Sequence, residues 1–162
     1  MYQTWKDSIY RQREQLAYKL REPLARLGEQ CFPAWGDPES LNRILLDGLA
    51  TVPRCGWLYV LGTDGVQICD NIGHAGILPG HYGRDRSQRP YMQEQVPPWG
   101  FLLSDAYISL LSNRPSLTAL QVIRSEGQTL GYLGADFDLR DLPVDSELYE
   151  EPGSWRQIKG DP

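Results

Sequence analysis

The chain has 162 residues, 41% hydrophobic and 23% charged, a balance that suits one globular domain with a full core. A net charge of -5 and a pI near 5.0 exclude the basic stripe that a nucleic-acid surface needs. No apolar run approaches the roughly 20 residues of a membrane span, and the opening Met1-Tyr2-Gln3-Thr4-Trp5-Lys6-Asp7 lacks the apolar core and cleavage site of a secretory leader.

Residues 3–30 predict a helix. Trp5, Ile9, Leu16, Leu20, Leu24 and Leu27 recur at three-, four- and seven-residue steps, with charged residues over much of the rest. Pro23 lacks the amide proton an interior turn needs, so a kink or break is expected there, and Gly28 allows the helix to end. The apolar stripe suits packing on the domain's own sheet or a seam with a second copy. A second helix is expected from Asp37-Pro38, where aspartate caps free amides and proline is pre-set for the first helical position. Leu41, Ile44, Leu45 and Leu49 supply its buried face, and Gly48 its exit.

Strands follow at 57–61 and 66–70, around a hairpin turn at Gly62-Thr63-Asp64-Gly65. A connection of about thirty residues comes next, far longer than a compact crossing requires. Three more strands are expected at 102–111, 117–124 and 129–137, then a short turn or helix at 138–142. Residues 1–142 thus read as one domain, with its sheet and pocket loop at 57–142 and a polar tail or linker at 143–162. Helices before an antiparallel five-stranded sheet make an α+β fold.

Period-two alternation sorts the strand side chains. Tyr107 shares a face with Asp105 and Ser109, while Ala106, Ile108 and Leu110 face the other way. Asp136 lies with Gly134, Tyr132 and Leu130, opposite Gly131, Leu133, Ala135 and Phe137. One face is apolar and suits the first helix. The other mixes tyrosine and carboxylate with a glycine that is expected to leave room above the strand, the form of a pocket floor or of a plain solvated face. Late in the long connection, Gly83-Arg84-Asp85-Arg86-Ser87-Gln88-Arg89-Pro90-Tyr91-Met92 carries three arginines and a tyrosine. A guanidinium fork matches a carboxylate, and a tyrosine beside it adds a ring wall and a hydroxyl.

Other chemistry has little to stand on. Cys31, Cys55 and Cys69 are an odd count at scattered spacings, neither a disulfide framework nor a metal motif. The setting this implies is reducing and cytoplasmic, unless the chain is a fragment of a membrane-bound sensor. His74 and His81, with Asp85, are too few for a metal site. Ser87 and Ser104 lack a base and a nucleophile elbow, and no phosphate-binding or dinucleotide loop occurs. No catalytic residue, metal or cofactor is expected.

The order Leu58-Tyr59-Val60-Leu61-Gly62-Thr63-Asp64-Gly65, Ser87-Gln88-Arg89-Pro90-Tyr91, Ser104-Asp105-Ala106-Tyr107-Ile108-Ser109 and Gly131-Tyr132-Leu133-Gly134-Ala135-Asp136-Phe137 resembles the Cache or PDC type of PAS-like sensor domain, over residues 57–142. The resemblance implies that Arg89 and Tyr91 hold a ligand carboxylate, that Tyr107 lines the pocket and that Asp136 receives an ammonium group. Arg86 and Ser109, on the same loop and strand face, complete the candidate set. Amino-acid-binding members carry a Trp-Tyr pair after the arginine and a tyrosine five residues before it. Here Tyr91-Met92 and Arg84 stand at those places, so an organic acid and an amino acid are both open. The implied function is a non-catalytic sensor of a small carboxylate, with a homodimer through the first helix and a signalling partner of unstated kind. The alternative is a constitutive dimerisation or docking domain with a degenerate pocket.

Overall fold

Capping and amphipathic spacing place the two long helices where the sequence predicts them. The computed structural model describes residues 2–97, 99–105, 107–109 and 113–141. Helix α1 spans Tyr2–Cys31 and α2 spans Pro38–Gly48, the latter opened by Asp37, whose side chain accepts from the Ser40 amide. The expected break at Pro23 does not occur, and α1 runs on past Gly28 to Cys31. A proline in a helix interior costs roughly 3 kcal/mol. Leu20, Leu24 and Leu27, all buried on either side of it, hold the helix on the sheet and outweigh that loss. The side chains of Trp5 and Ile9 lie outside the described set.

The sheet has seven strands, not the five expected: β1 (Trp57–Gly62), β2 (Asn71–Gly73), β3 (Gly76–Leu78), β4 (Phe101–Leu103), β5 (Tyr107–Ile108), β6 (Pro115–Ser125) and β7 (Gln128–Asp138). Its order is β3-β2-β1-β7-β6-β4, with β5 also paired to β6 and all neighbours antiparallel. Two local causes raise the count. The segment 66–70 makes a single bridge to β1, Leu61 with Gln67, through Gly62 N to Val66 O and Ile68 N to Val60 O, while the Gln67 amide turns outward to Arg84 O; continuous pairing resumes at Asn71. The expected strand 102–111 is cut in two at Ser104, whose hydroxyl takes the Thr118 amide at 2.9 Å. Between β3 and β4 the chain crosses residues 79–100, including the one-turn helix α3 (Pro90–Gln93). The expected final turn is a 3-10 turn at Leu139–Asp141, and the tail at 143–162 lies outside the described residues.

Alternation then divides the sheet into two faces. Leu58, Val60, Leu117, Ala119, Ile123, Leu133, Ala135 and Phe137 pack in one core with Leu16, Leu20, Leu24 and Leu27 of α1 and Leu41 and Leu45 of α2. A second, smaller cluster of Tyr59, Leu61, Tyr91, Tyr107 and Leu120 lies apart from it, joined by Met92, Val96, Leu102 and Tyr132. That second face carries the candidate site.

Candidate functional site

Strand register brings the floor of the site together. Asp136 pairs with Thr118 on β6 and with Trp57 on β1, while Gly134 pairs with Leu120 and Tyr59. The Tyr59 hydroxyl donates to Asp136 Oδ1 at 2.7 Å, and Thr118 Oγ1 donates to the same oxygen at 2.8 Å. Tyr107 Oη lies 2.5 Å from Thr118 Oγ1. The threonine proton is already committed to Asp136, so Tyr107 is the donor there. One tyrosine directly and another through a threonine therefore serve a single carboxylate.

Gly134 does not leave the open space expected of it. A Cβ at that position would stand 2.2 Å from Tyr59 Cε2, so the tyrosine ring fills the room above the strand. Alternation reveals that a glycine is on the face, but not that its cross-strand neighbour lies flat over it.

The loop reaches this floor because it is tied to the β1 hairpin turn. Arg86 N donates to Gly65 O at 2.8 Å, Gln67 N to Arg84 O and Gly83 N to Gln67 O. At Gly65, with φ +82°, a Cβ would stand 2.8 Å from Ser87 Cα, so only glycine lets the two segments approach this closely. These bonds aim Arg86 inward, where it is 4% exposed. Its Nε donates to Gln67 Oε1 at 2.8 Å, Nη2 to Asn71 Oδ1 at 3.1 Å and Nη1 to Tyr91 Oη at 3.2 Å. The guanidinium carbon lies 4.0 Å from the centroid of the Tyr59 ring, a cation–π stack.

Arg89 caps α3 in extended backbone and is 7% exposed. It is buried, and its charge acts on Asp136 and Tyr91 more weakly than that of Arg86. Tyr91 is fully enclosed, its ring centroid 6.1 Å from that of Tyr107. So Arg86, Arg89, Tyr91, Tyr107 and Asp136 gather beneath the loop. Ser109 stands beyond the end of β5, where its amide donates to Arg114 O and its carbonyl accepts from Asn113 N, closing the turn into β6. Sequence reasoning missed Tyr59, Gln67, Asn71 and Thr118. Residues 57–61 form a continuous apolar run with no alternation to mark Tyr59, Gln67 sits inside the expected strand 66–70, and Asn71 falls just past its end. Of the two histidines, His74 meets Cys55 O through Nε2 at 3.0 Å, and His81 is buried near the loop arginines.

The electrostatics follow from burial. Asp136 is pushed above the usual carboxylate range by loss of solvent, against the pull of Arg86 and the hydrogen bonds from Tyr59 and Thr118. Tyr59 and Tyr91 are raised by the same loss. The thiols of Cys31 and Cys69 are pushed up to about 12, chiefly by burial, and Cys55 is raised as well, which makes all three inert packing groups. Because folded Asp136 holds its proton more tightly than the unfolded chain does, its contribution to stability is full below the ordinary carboxylate range. That contribution is lost as pH rises through the elevated value. Exposed Asp37 and Asp85, lowered by their hydrogen bonds from Ser40 and Ser87, titrate in the opposite sense. Asp136→Asn keeps an acceptor for Tyr59 and Thr118 and isolates the buried group. In urea unfolding, the variant is expected to gain on the wild type as pH rises above the ordinary carboxylate range, and a difference that stays flat would refute the assignment.

On the same face, beside this cluster, a groove of about 400 Å³ is lined by Tyr91, Met92, Val96, Leu120, Val122 and Tyr132, with Glu94 and Arg124 also on its wall. Tyr91 is common to both, its hydroxyl on Arg86 and the residue itself on the groove wall.

No protein-family model matches the chain, and no curated protein matches it by sequence. Its fold does recur among solved structures. The ligand-binding domain of the Campylobacter jejuni chemoreceptor Tlp3, in complex with 4-methylisoleucine, superposes with a TM-score of 0.64 at 14% identity, covering 86% of this chain and 56% of that one. The ligand-binding domain of the Pseudomonas fluorescens chemoreceptor CtaA, in complex with L-leucine, gives 0.54 at 15% identity, covering 72% and 47%. An extracellular ligand binding receptor from Desulfohalobium retbaense gives 0.62 at 12% identity, covering 78% and 23%. Identities this low establish a shared fold: this chain has the architecture of chemoreceptor sensor domains. It spans between 23% and 56% of the length of these structures.

Proposed function

We propose that the chain is a non-catalytic sensing domain of the Cache or PDC kind that takes up a small carboxylate-bearing metabolite, an organic acid or an amino acid. It relays occupancy to a partner or a fused output domain. The observation that carries this reading is the buried array Arg86–Tyr59–Asp136 beneath the loop, with a guanidinium stacked on the face of the Tyr59 ring and a desolvated carboxylate at its hydroxyl. Opposite charges held apart in a low-dielectric site orient a zwitterion, and the cationic side alone suits a plain carboxylate. In this reading Arg86 and Arg89 face the ligand carboxylate, Tyr91 and Tyr107 are walls, Asp136 faces an ammonium group and Ser109 stands at the rim. The groove under α3 is the way in, with Tyr91 as the partition that must move. The chemoreceptor domains of the same fold, crystallised with amino acids, support the choice of ligand class.

A route for the relay runs through hydrogen bonds. Asp136 is bonded to Thr118, whose amide donates to Ser104 Oγ. The carbonyls of Ser104 and Leu103 accept from Arg13 of α1, both at 3.1 Å. A change at the site thus has a connected path to the long helix, where Tyr18, 80% exposed, marks an outward face for a second copy. The three buried, free thiols favour a reducing, cytoplasmic setting. No helix among the described residues is long and apolar enough to cross a membrane.

The second reading, a dimerisation or docking domain with a degenerate pocket, draws on the Tyr59 ring over Gly134 and on the internal partners of Arg86 and Asp136. A thermal-shift panel of organic acids and amino acids separates the two. A ligand at a hundredfold excess over its dissociation constant stabilises by about 2.7 kcal/mol, and Arg89→Ala is expected to abolish that gain. A panel with no binder favours docking.

A further inference from the structure

Two buried polar atoms around Arg86 are left over once the fold's own hydrogen bonds are assigned. Asn71 is fully enclosed, and its Oδ1 accepts from Gln67 Nε2 at 2.7 Å and from Arg86 Nη2 at 3.1 Å. Two donors on that oxygen settle which way the amide is turned, since the flipped group would set N–H against N–H. Asn71 Nδ2 then finds no acceptor among the described residues. His81, 7% exposed, has no partner at Nδ1. Unpaired buried polar groups are few in native folds, and of these two one sits on Arg86 itself and the other feels the charge of Arg84, Arg86 and Arg89.

The surroundings say what kind of guest would satisfy them. Arg84, Arg86 and Arg89 from the loop all act on the His81 ring, and Asp70, just before β2, opposes them. Asp70 is itself held by Asn42, which donates to its Oδ2 at 3.3 Å. The balance is cationic, and the spare Asn71 group is a pure donor. We propose that Asn71 and His81, together with Arg86, form the anion pole of the site and hold the ligand's carboxylate. Asp136, at the Tyr59 hydroxyl, marks the other pole. This inference rests on the sensing reading above and adds two residues that lie outside the loop motif.

A consequence is proton linkage. Burial first, and then the loop arginines, hold His81 below its ordinary range, so the ring is neutral in the unliganded site at neutral pH. An anion beside it favours the protonated ring, so binding takes up a proton and tightens as pH falls.

The test is calorimetric titration with acetate, succinate and L-leucine, with L-leucinamide as the probe lacking a carboxylate, at pH 6 and pH 8. Asn71→Asp keeps the oxygen that serves Gln67 and Arg86 and replaces only the unpartnered amide with an acceptor. It is expected to weaken a carboxylate probe that binds the wild type by at least about tenfold, while the unliganded melting point is retained. His81→Gln is expected to remove the gain in affinity between pH 8 and pH 6. If a probe binds the wild type and both variants equally well, with no pH dependence, the anion pole is overturned, the two atoms serve a structural water only, and sensing stands. If L-leucinamide binds as tightly as L-leucine, the pole is likewise overturned. If no probe binds the wild type, sensing falls and the pole with it. Should Asn71→Asp fail to fold, the His81→Gln pH profile decides alone.

Discussion

Arg86→Met is expected to lower the free energy of unfolding by about 3 kcal/mol or more, measured by urea denaturation. The substitution keeps much of the apolar stem and removes the fork that donates to Gln67, Asn71 and Tyr91. Asn71 Oδ1 keeps Gln67 Nε2, but Gln67 Oε1 and Tyr91 Oη lose this donor while buried, and each unsatisfied acceptor costs roughly 1–3 kcal/mol. The stack on Tyr59 goes as well, at about 0.5–2 kcal/mol. Arg86→Lys should recover only a small part, because an ammonium cannot span three acceptors arranged around a plane. A loss under about 1 kcal/mol for the methionine variant would mean the guanidinium does not anchor the loop. A residue so embedded makes a poor probe of binding, which is why Asn71 and Arg89 carry the ligand tests.

Gly134→Ala should cost about 2–3 kcal/mol, the upper range for forcing a methyl group into a packed interior. The new Cβ would meet the Tyr59 ring at 2.2 Å and must drive it off the strand. That movement breaks the hydroxyl's bond to Asp136 and the stack under Arg86. Tyr59→Leu in the same chain should return much of the loss, so a double-mutant cycle at this pair is expected to show strong favourable coupling. Simple additivity would show that ring and glycine are energetically independent.

Much of this architecture was legible in the chain. Asp37-Pro38 announces α2, the leucine steps from Leu16 to Leu27 announce the sheet-facing side of α1, and the strands carrying Tyr107 and Asp136 declare their faces by alternation. The family resemblance, with the face pattern, singles out Arg89, Tyr91, Tyr107 and Asp136, and with Arg86 these lie buried together on one face of the sheet. What escaped notice depends on contacts between distant segments. Val66–Asp70 has the composition of a strand, yet Gln67 spends its backbone on Arg84 and Gly83 and its side chain on Arg86, Asn71 and Cys69 O. Pro23 is a strong local signal that lost to a run of buried leucines. Gly134 was recognised as a gap, but its occupant is set by the register of β1 on β7, which no local pattern displays.

That register has a cost during synthesis. β1 sits at the centre of the sheet between β2 and β7, and Trp57 faces Asp136 across seventy-nine positions of sequence. Everything needed for the inner layer on the N-terminal side, α1, α2 and β1, leaves the ribosome well before the strand that completes it. At about 5–20 residues per second the apolar side of β1 waits several seconds for β7. Long-range pairings of this kind close late and slow the search for the native state. The hairpin of β6 and β7 is the compensating device: it is local, eleven residues on each side, and can form on its own before docking as one unit against the waiting strand. Refolding of this domain should therefore be governed by the meeting of two preformed halves, with the β1–β7 seam the last to zip.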